Sequence, residues 1–286
     1  MKKYLLLVVV LVFTLAGFAQ EEEKKEDKPV RTPFTSGYLL DNQTTFISYP
    51  KTFGFYIQHK FGTIENGTED MFGIYSSANV RLALDYVVIK NLQVGYGLTK
   101  TGMTHDFNVK YTILEQTRKN TIPVAVAVYG NMGIMQGKKE TFGADYDFTD
   151  RMSYFGQVII SRKFTDRISL QTGASFSHFN QVDTANMSFD RVGLHVNGRV
   201  KVTEQGSIQF NVDYPLKVLV LRSQEDKDVF PNLSLGYEIA TISHQFQIFL
   251  GYSNEILPQH YMINPAEEFD FSKFRVGFVI TRMHNF

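Results

Sequence analysis

From Phe53 to Phe286 the chain alternates apolar and polar residues with a period of two. Val80, Leu82, Leu84 and Tyr86 share one parity, while Asn79, Arg81, Ala83 and Asp85 share the other. Leu92, Val94, Tyr96 and Leu98 alternate with Gln93, Gly95, Gly97 and Thr99. Val192, Leu194, Val196 and Val200 alternate with Gly193, His195, Asn197, Arg199 and Lys201. The pattern predicts twelve strands, at 53–61, 78–88, 92–100, 105–115, 123–135, 152–164, 168–179, 191–202, 207–217, 232–241, 245–253 and 274–286. Most are near the ~9–11 residues that cross a bilayer as a tilted strand.

The connections alternate in length. Lys90-Asn91, Thr165-Asp166-Arg167, Glu204-Gln205-Gly206 and Ile242-Ser243-His244 are tight turns, whereas 62–77, 136–151, 180–190, 218–231 and 254–273 are long and polar. Short periplasmic turns and long outer loops are the habit of outer-membrane barrels, which also take an even number of strands. Two connections fit less well: 101–104 is short for its side, and 116–122 is long for its side. The less apolar parity is rich in Gly, Asn, Gln and charge, as a wet lumen wants, whereas a soluble sandwich or lipocalin-like barrel would pack an apolar face inward. The expected fold is therefore an all-β, transmembrane, antiparallel up-and-down barrel of about 12 strands. Composition agrees, with 25 Phe and 15 Tyr to supply interfacial girdles. The terminal Phe286 resembles the recognition signal read by the outer-membrane assembly machinery.

Ahead of the strands, Lys2 and Lys3 precede an apolar run from Tyr4 to about Phe18, and Gly17-Phe18-Ala19 offers small residues for cleavage. Residues 1–19 read as a signal peptide, because the run is shorter than the ~20 apolar residues of a spanning helix. Residues 20–44 begin with a charge run from Glu21 to Asp27 and carry Pro29 and Pro33, and read as a flexible, solvated periplasmic leader. Residues 45–286 are left as the barrel. Loss of Lys2 and Lys3 takes 29 basic residues to 27 against 29 acidic ones, a mature charge of -2. That balance gives no electrostatic case for nucleic acid.

Four stretches carry a family likeness: FGFYIQHKFG at 53–62, ANVRLALDYVVIKNLQVGYG at 78–97, MSYFGQVIISRKFTDRISLQ at 152–171 and HQFQIFLGYSNE at 244–255. In these the chain resembles the DUF5777 family of outer-membrane β-barrel proteins of Bacteroidota. The resemblance implies an outer-membrane barrel and transfers no catalytic residue.

Candidate chemistry is sparse. Cysteine is absent, which removes disulfides, thiolate metal sites, covalent haem attachment and a thiol nucleophile. The seven histidines are scattered without metal-ligand spacing, so neither a metal nor a cofactor is expected. Gly95-Tyr96-Gly97 lies inside a strand, where glycine leaves lumen space more simply than it binds phosphate. Ser175, Ser177, His178 and Asp183 cluster in sequence, but His178 has the parity opposite to the serines, so they do not form a triad. The chain reads as a non-enzyme.

Parity places Lys60, Arg81, Lys110, Lys163, Arg199, Lys201 and Arg275 in the lumen with Asp85, Asp213 and Glu238, seven cations against three acids. The function expected is a small or substrate-selective pore, with the long loops or the leader as plug and a weak preference for small anionic solutes. A closed scaffold barrel that anchors a periplasmic or surface partner is the alternative, and an outer-membrane hydrolase is third. The remaining expected partners are outer-membrane lipid and the assembly machinery.

Overall fold

A computed structural model describes residues 27–30, 33–143, 145–182, 189–216, 229–263 and 269–286. The signal peptide and residues 20–26 of the leader lie outside the described residues.

A two-residue hairpin opens the fold, β1 (Tyr38–Leu39) and β2 (Asn42–Gln43). Twelve barrel strands follow: β3 (Thr52–Thr63), β4 (Asn79–Ile89), β5 (Leu92–Thr99), β6 (Thr104–Leu114), β7 (Ala125–Ile134), β8 (Met152–Lys163), β9 (Ile168–Phe179), β10 (Asp190–Lys201), β11 (Gly206–Leu216), β12 (Asn232–Ala240), β13 (His244–Gly251) and β14 (Arg275–Asn285). Each pairs antiparallel with its neighbours in sequence, and β14 pairs with β3 through contacts such as Ile280 to Ile57. Closure leaves no unpaired ladder edge, which is what a sheet needs in a solvent that offers no hydrogen bonds. The predicted strand ends agree to within two residues throughout.

The outward parity exposes Phe55, Leu82, Val109, Val158, Val196 and Ile248 to the bilayer. On β4, Leu84→Arg is expected to cost about 2–4 kcal/mol, the depth-dependent penalty of a cation on the lipid face. Urea titration in vesicles measures it. An unchanged midpoint would place Leu84 off the lipid face.

The inward parity is not wet. Residues 34–44 of the leader enter from the short-turn end, rise through the barrel and return to β3, with Phe34, Ser36, Leu39, Leu40, Asn42 and Thr44 all 2 % exposed or less. The expectation of a solvated leader over 20–44 is thus corrected for 34–44. The segment carries Phe34, Tyr38, Leu39 and Leu40, which find apolar cover inside the barrel, and Thr35, Ser36, Asp41, Asn42 and Gln43, which find hydrogen-bond partners there. Its first described residues dock on the 116–122 connection: Pro29 bridges Thr117, and the Asp27 carboxylate accepts from the Lys119 amide at 3.0 Å. The long connection on the short-turn side is thus the one on which the leader docks. The short 101–104 connection is a 3-10 turn, Thr101–Met103.

A second insert comes from the opposite end. After β13 the chain turns inward, and a short helix, α1 (Pro258–Ile263), buries Gln259 through Ile263. Tyr261, Met262 and Ile263 pack on Ala127, Tyr129, Phe155 and Ile159 of the wall.

Candidate lumen plug and its anchoring network

Among the polar contacts between the inner wall and the leader, three nodes are built around buried charges. The first is Arg81 on β4. Its Nε and Nη2 donate to the two Asp106 oxygens at 2.8 and 2.7 Å. Nη1 donates to the Tyr38 hydroxyl of the leader at 2.9 Å and to Gln58 Oε1 at 2.7 Å. Forked geometry of this kind is the strong form of an arginine–carboxylate pair. Gly97 stands opposite Asp106, and a Cβ there would come within 2.6 Å of Arg81 and 2.3 Å of Asp106, so the glycine of the GxG sequence is the space that the pair occupies. Asp106 also accepts from Asn131, whose Oδ1 accepts from Gln259 of α1 at 2.8 Å. One chain of hydrogen bonds therefore joins leader, wall and α1.

Lys60 on β3 makes the second node. Its Nζ lies 2.7 Å from Asp41 of the leader and donates to the carbonyls of Ser253 and Glu255 at 3.0 and 2.8 Å. Asp41 in turn accepts from Ser234 at 2.5 Å and Asn232 at 3.1 Å.

Asp213 on β11 is the third. It accepts from Asn42 at the leader's tip, from Asn211 at 2.7 Å and from Asn232 at 2.9 Å. His195 Nδ1 lies 2.7 Å from the same carboxylate, and His195 Nε2 lies 2.6 Å from Ser175 Oγ. Ser175, His195 and Asp213 thus stand in the order of a Ser–His–Asp relay, on three adjacent strands that the sequence analysis did not connect. All three are buried, and the Asp213 carboxylate is committed to the leader as much as to the histidine. A Cβ on Gly193, opposite Ser175, would sit 2.7 Å from Met262, so α1 covers the serine closely.

The remaining predicted lumen residues also lie on the inner side. Lys110 donates to Gln43 of the leader at 3.0 Å. Asp85 accepts from Gln93 at 2.7 Å. Glu238 accepts from Thr35 of the leader at 2.6 Å, with Arg199 Nε 3.1 Å from its other oxygen. Lys163 and Lys201 turn to the short connections, 2.9 Å from Asp166 and 3.5 Å from Glu204. Arg275 donates to the Tyr252 and Lys273 carbonyls at 2.7 and 3.1 Å. The count of seven cations against three acids is corrected on three points: Arg191 on β10, of the same parity as His195, is a buried inward cation that the count left out, and two acids join it. Asp106 shares the parity of Asn108 and Lys110, and Asp41 reaches the lumen on the leader. Five of the seven cations stand in ion pairs, so the plugged barrel holds no free ring of charge. On α1, burial holds the His260 imidazole below its usual range, against opposing pulls from Glu255 and Asp106.

The family described as "Membrane bound beta barrel domain (DUF5777)" matches residues 34–284. No curated protein matches the chain. Among solved structures, the COG4313 outer membrane channel from Pseudomonas putida F1 is similar with a TM-score of 0.50 at 13% identity, over 84% of this chain and 97% of that one. A structure titled "KdgM porin" gives 0.44 at 8% identity, over 82% and 99% of the two chains. The structure titled "NanC porin structure in rhombohedral crystal form" gives 0.47 at 8% identity, over 81% and 99%. At these identities the likeness describes the fold alone.

Proposed function

The chain belongs to the family of membrane-bound β-barrel domains designated DUF5777, and on that premise we propose that it is a plugged, substrate-selective pore of the outer membrane, opened when the leader leaves the lumen. One observation carries this reading. The leader's hydrogen bonds and ion pairs run to wall side chains, while the ladder that closes the barrel is complete without it. Removal of residues 28–47 therefore leaves every pair of barrel strands intact and exposes a wall rich in Gln, Asn, Ser and Thr, which water can solvate. Departure of the leader also takes Asp41 from Lys60 and Gln43 from Lys110. The open wall then carries Lys60, Arg81, Lys110, Arg191, Arg199 and Arg275 against Asp85, Asp106, Asp213 and Glu238, which favours small anionic solutes. The four stretches that resemble the family support a bacterium of the Bacteroidota as the source, and the channel reading requires no turnover from the chain.

The described lumen is filled from both ends, and this favours a second reading, a closed scaffold that anchors a periplasmic or surface partner. Deleting residues 28–47 separates the two. Vesicles with the full-length protein are expected to hold small sugars, and vesicles with the deletion to leak them. Planar-bilayer reversal potentials in a salt gradient are then expected to show anion preference, reduced by Lys60→Glu. A folded deletion variant that stays tight to every solute would transfer the argument to the scaffold.

A further inference from the structure

Twelve strands offer the bilayer more than fifty outward positions by alternation, yet Lys or Arg occupies only two of them, Arg162 on β8 and Arg282 on β14. Both stand at the short-turn ends of their strands, on the periplasmic leaflet. The outward positions near the long loops carry His59, His105 and His178 with aromatic rings, and no permanent cation. A guanidinium turned toward lipid is costly unless it reaches the headgroups, so its placement is informative.

Arg162 has a built surrounding. It pairs across β8 and β9 with Leu170, and its guanidinium carbon lies 5.3 Å from the centre of the Phe164 ring. Its Nε is buried and has no hydrogen-bond partner. Arg167 closes the same turn and is exposed to solvent. The acid of this turn, Asp166, lies 2.9 Å from Lys163 on the inner side. No other carboxylate stands in the turn, 164–167. Two arginines flanking an exposed phenylalanine, at the level where acyl chains meet headgroups, match a phosphodiester above a glycerol backbone. The guanidinium forks bind the phosphate oxygens, and Phe164, Ile168 and Leu170 meet the upper acyl carbons.

We propose that the β8–β9 turn is a phospholipid site, at which Arg162 and Arg167 clamp the phosphate of an anionic glycerophospholipid of the periplasmic leaflet. An anionic head binds better than a zwitterionic one, because an ammonium on the headgroup would face two guanidinium groups. The site is independent of whether the barrel conducts.

Native mass spectrometry of the full chain in mild detergent tests it, with phosphatidylglycerol, phosphatidylethanolamine, phosphatidylcholine and inorganic phosphate as separate probes. Wild-type protein is expected to retain phosphatidylglycerol over the two zwitterionic lipids. Arg162→Gln and Arg167→Gln are each expected to weaken it roughly fivefold, the effect of one basic residue near an anionic surface. Arg118→Gln, on a neighbouring turn without a phenylalanine, is expected to leave it unchanged. Heat-modifiable migration shows that each variant folds. Equal retention of all three lipids, loss of nothing in the two variants, or displacement of the lipid by inorganic phosphate at equal concentration would each overturn the assignment.

Discussion

Arg81→Met is expected to destabilise the barrel by about 3–5 kcal/mol, the effect of removing one partner of a buried ion pair. The large value comes from what remains. Asp106 is fully buried, loses both guanidinium donors and keeps only Asn131, while the Tyr38 hydroxyl and Gln58 lose their bond as well. Adding Asp106→Leu removes the stranded charge, and the double variant is expected to recover most of the loss, because an apolar pair of similar volume often matches a buried ion pair. Urea unfolding in lipid vesicles, followed by circular dichroism and heat-modifiable migration, measures all three proteins. Single and double variants with equal losses would show that packing around Gly97, rather than the uncompensated charge, sets the stability there. The Tyr38 bond adds a second readout. If Arg81 also tethers the leader, the single variant should become more leaky than wild type before it unfolds.

The barrel was legible because a membrane strand states its two faces separately. Val80, Leu82, Leu84 and Tyr86 meet lipid and the residues between them meet the interior, so strand positions and order followed from parity. The state of the interior was not legible from the same rule. Gln, Asn, Ser and Thr suit contact with water and contact with a polar peptide equally well. The leader, expected both as a solvated segment and as a candidate plug, was undecided for a related reason. Its prolines, charge run and short apolar stretches resemble a linker, whereas residues 34–44 take up their structure inside the barrel, where Leu39 and Leu40 reach Phe249 and Val279. A usable signal did exist in breaks of the alternation. Val158-Ile159-Ile160, Ile248-Phe249-Leu250 and Phe278-Val279-Ile280 are apolar runs inside strands, and the middle residue of each points inward. Ile159 lies under α1, and Phe249 and Val279 lie under the leader. An apolar residue at a lumen position is costly in a water-filled pore, so such runs mark where something sits on the wall. The Ser175–His195–Asp213 relay was invisible because its members are joined by register across three strands, while the serines and histidine close in sequence face opposite sides.

Asp213→Asn is expected to release the tip of the leader. Four groups converge on this carboxylate, from Asn42, Asn211, Asn232 and His195, and an amide can accept with only one of its two ends. At least one donor then faces another donor. Asn42 is the member free to leave, because the other three are fixed on strands. Hydrogen bonds to a charged group are worth about 1.5–3 kcal/mol each, so loss of one shifts the opening equilibrium at least tenfold. The chain has no cysteine, so Thr44→Cys gives a single thiol at a fully buried position beside the tip. In the wild-type background that thiol is expected to resist a membrane-impermeant maleimide. With Asp213→Asn it is expected to react at least tenfold faster, since labelling passes through local opening. Asp270→Asn, an exposed carboxylate that accepts from the Ser272 amide in its own turn, serves as control and should change nothing. Unchanged labelling in Asp213→Asn would mean that the Lys60–Asp41 pair and the Arg81–Tyr38 bond hold the leader without this node. Faster labelling accompanied by vesicle leakage would tie release of the leader to opening of the pore.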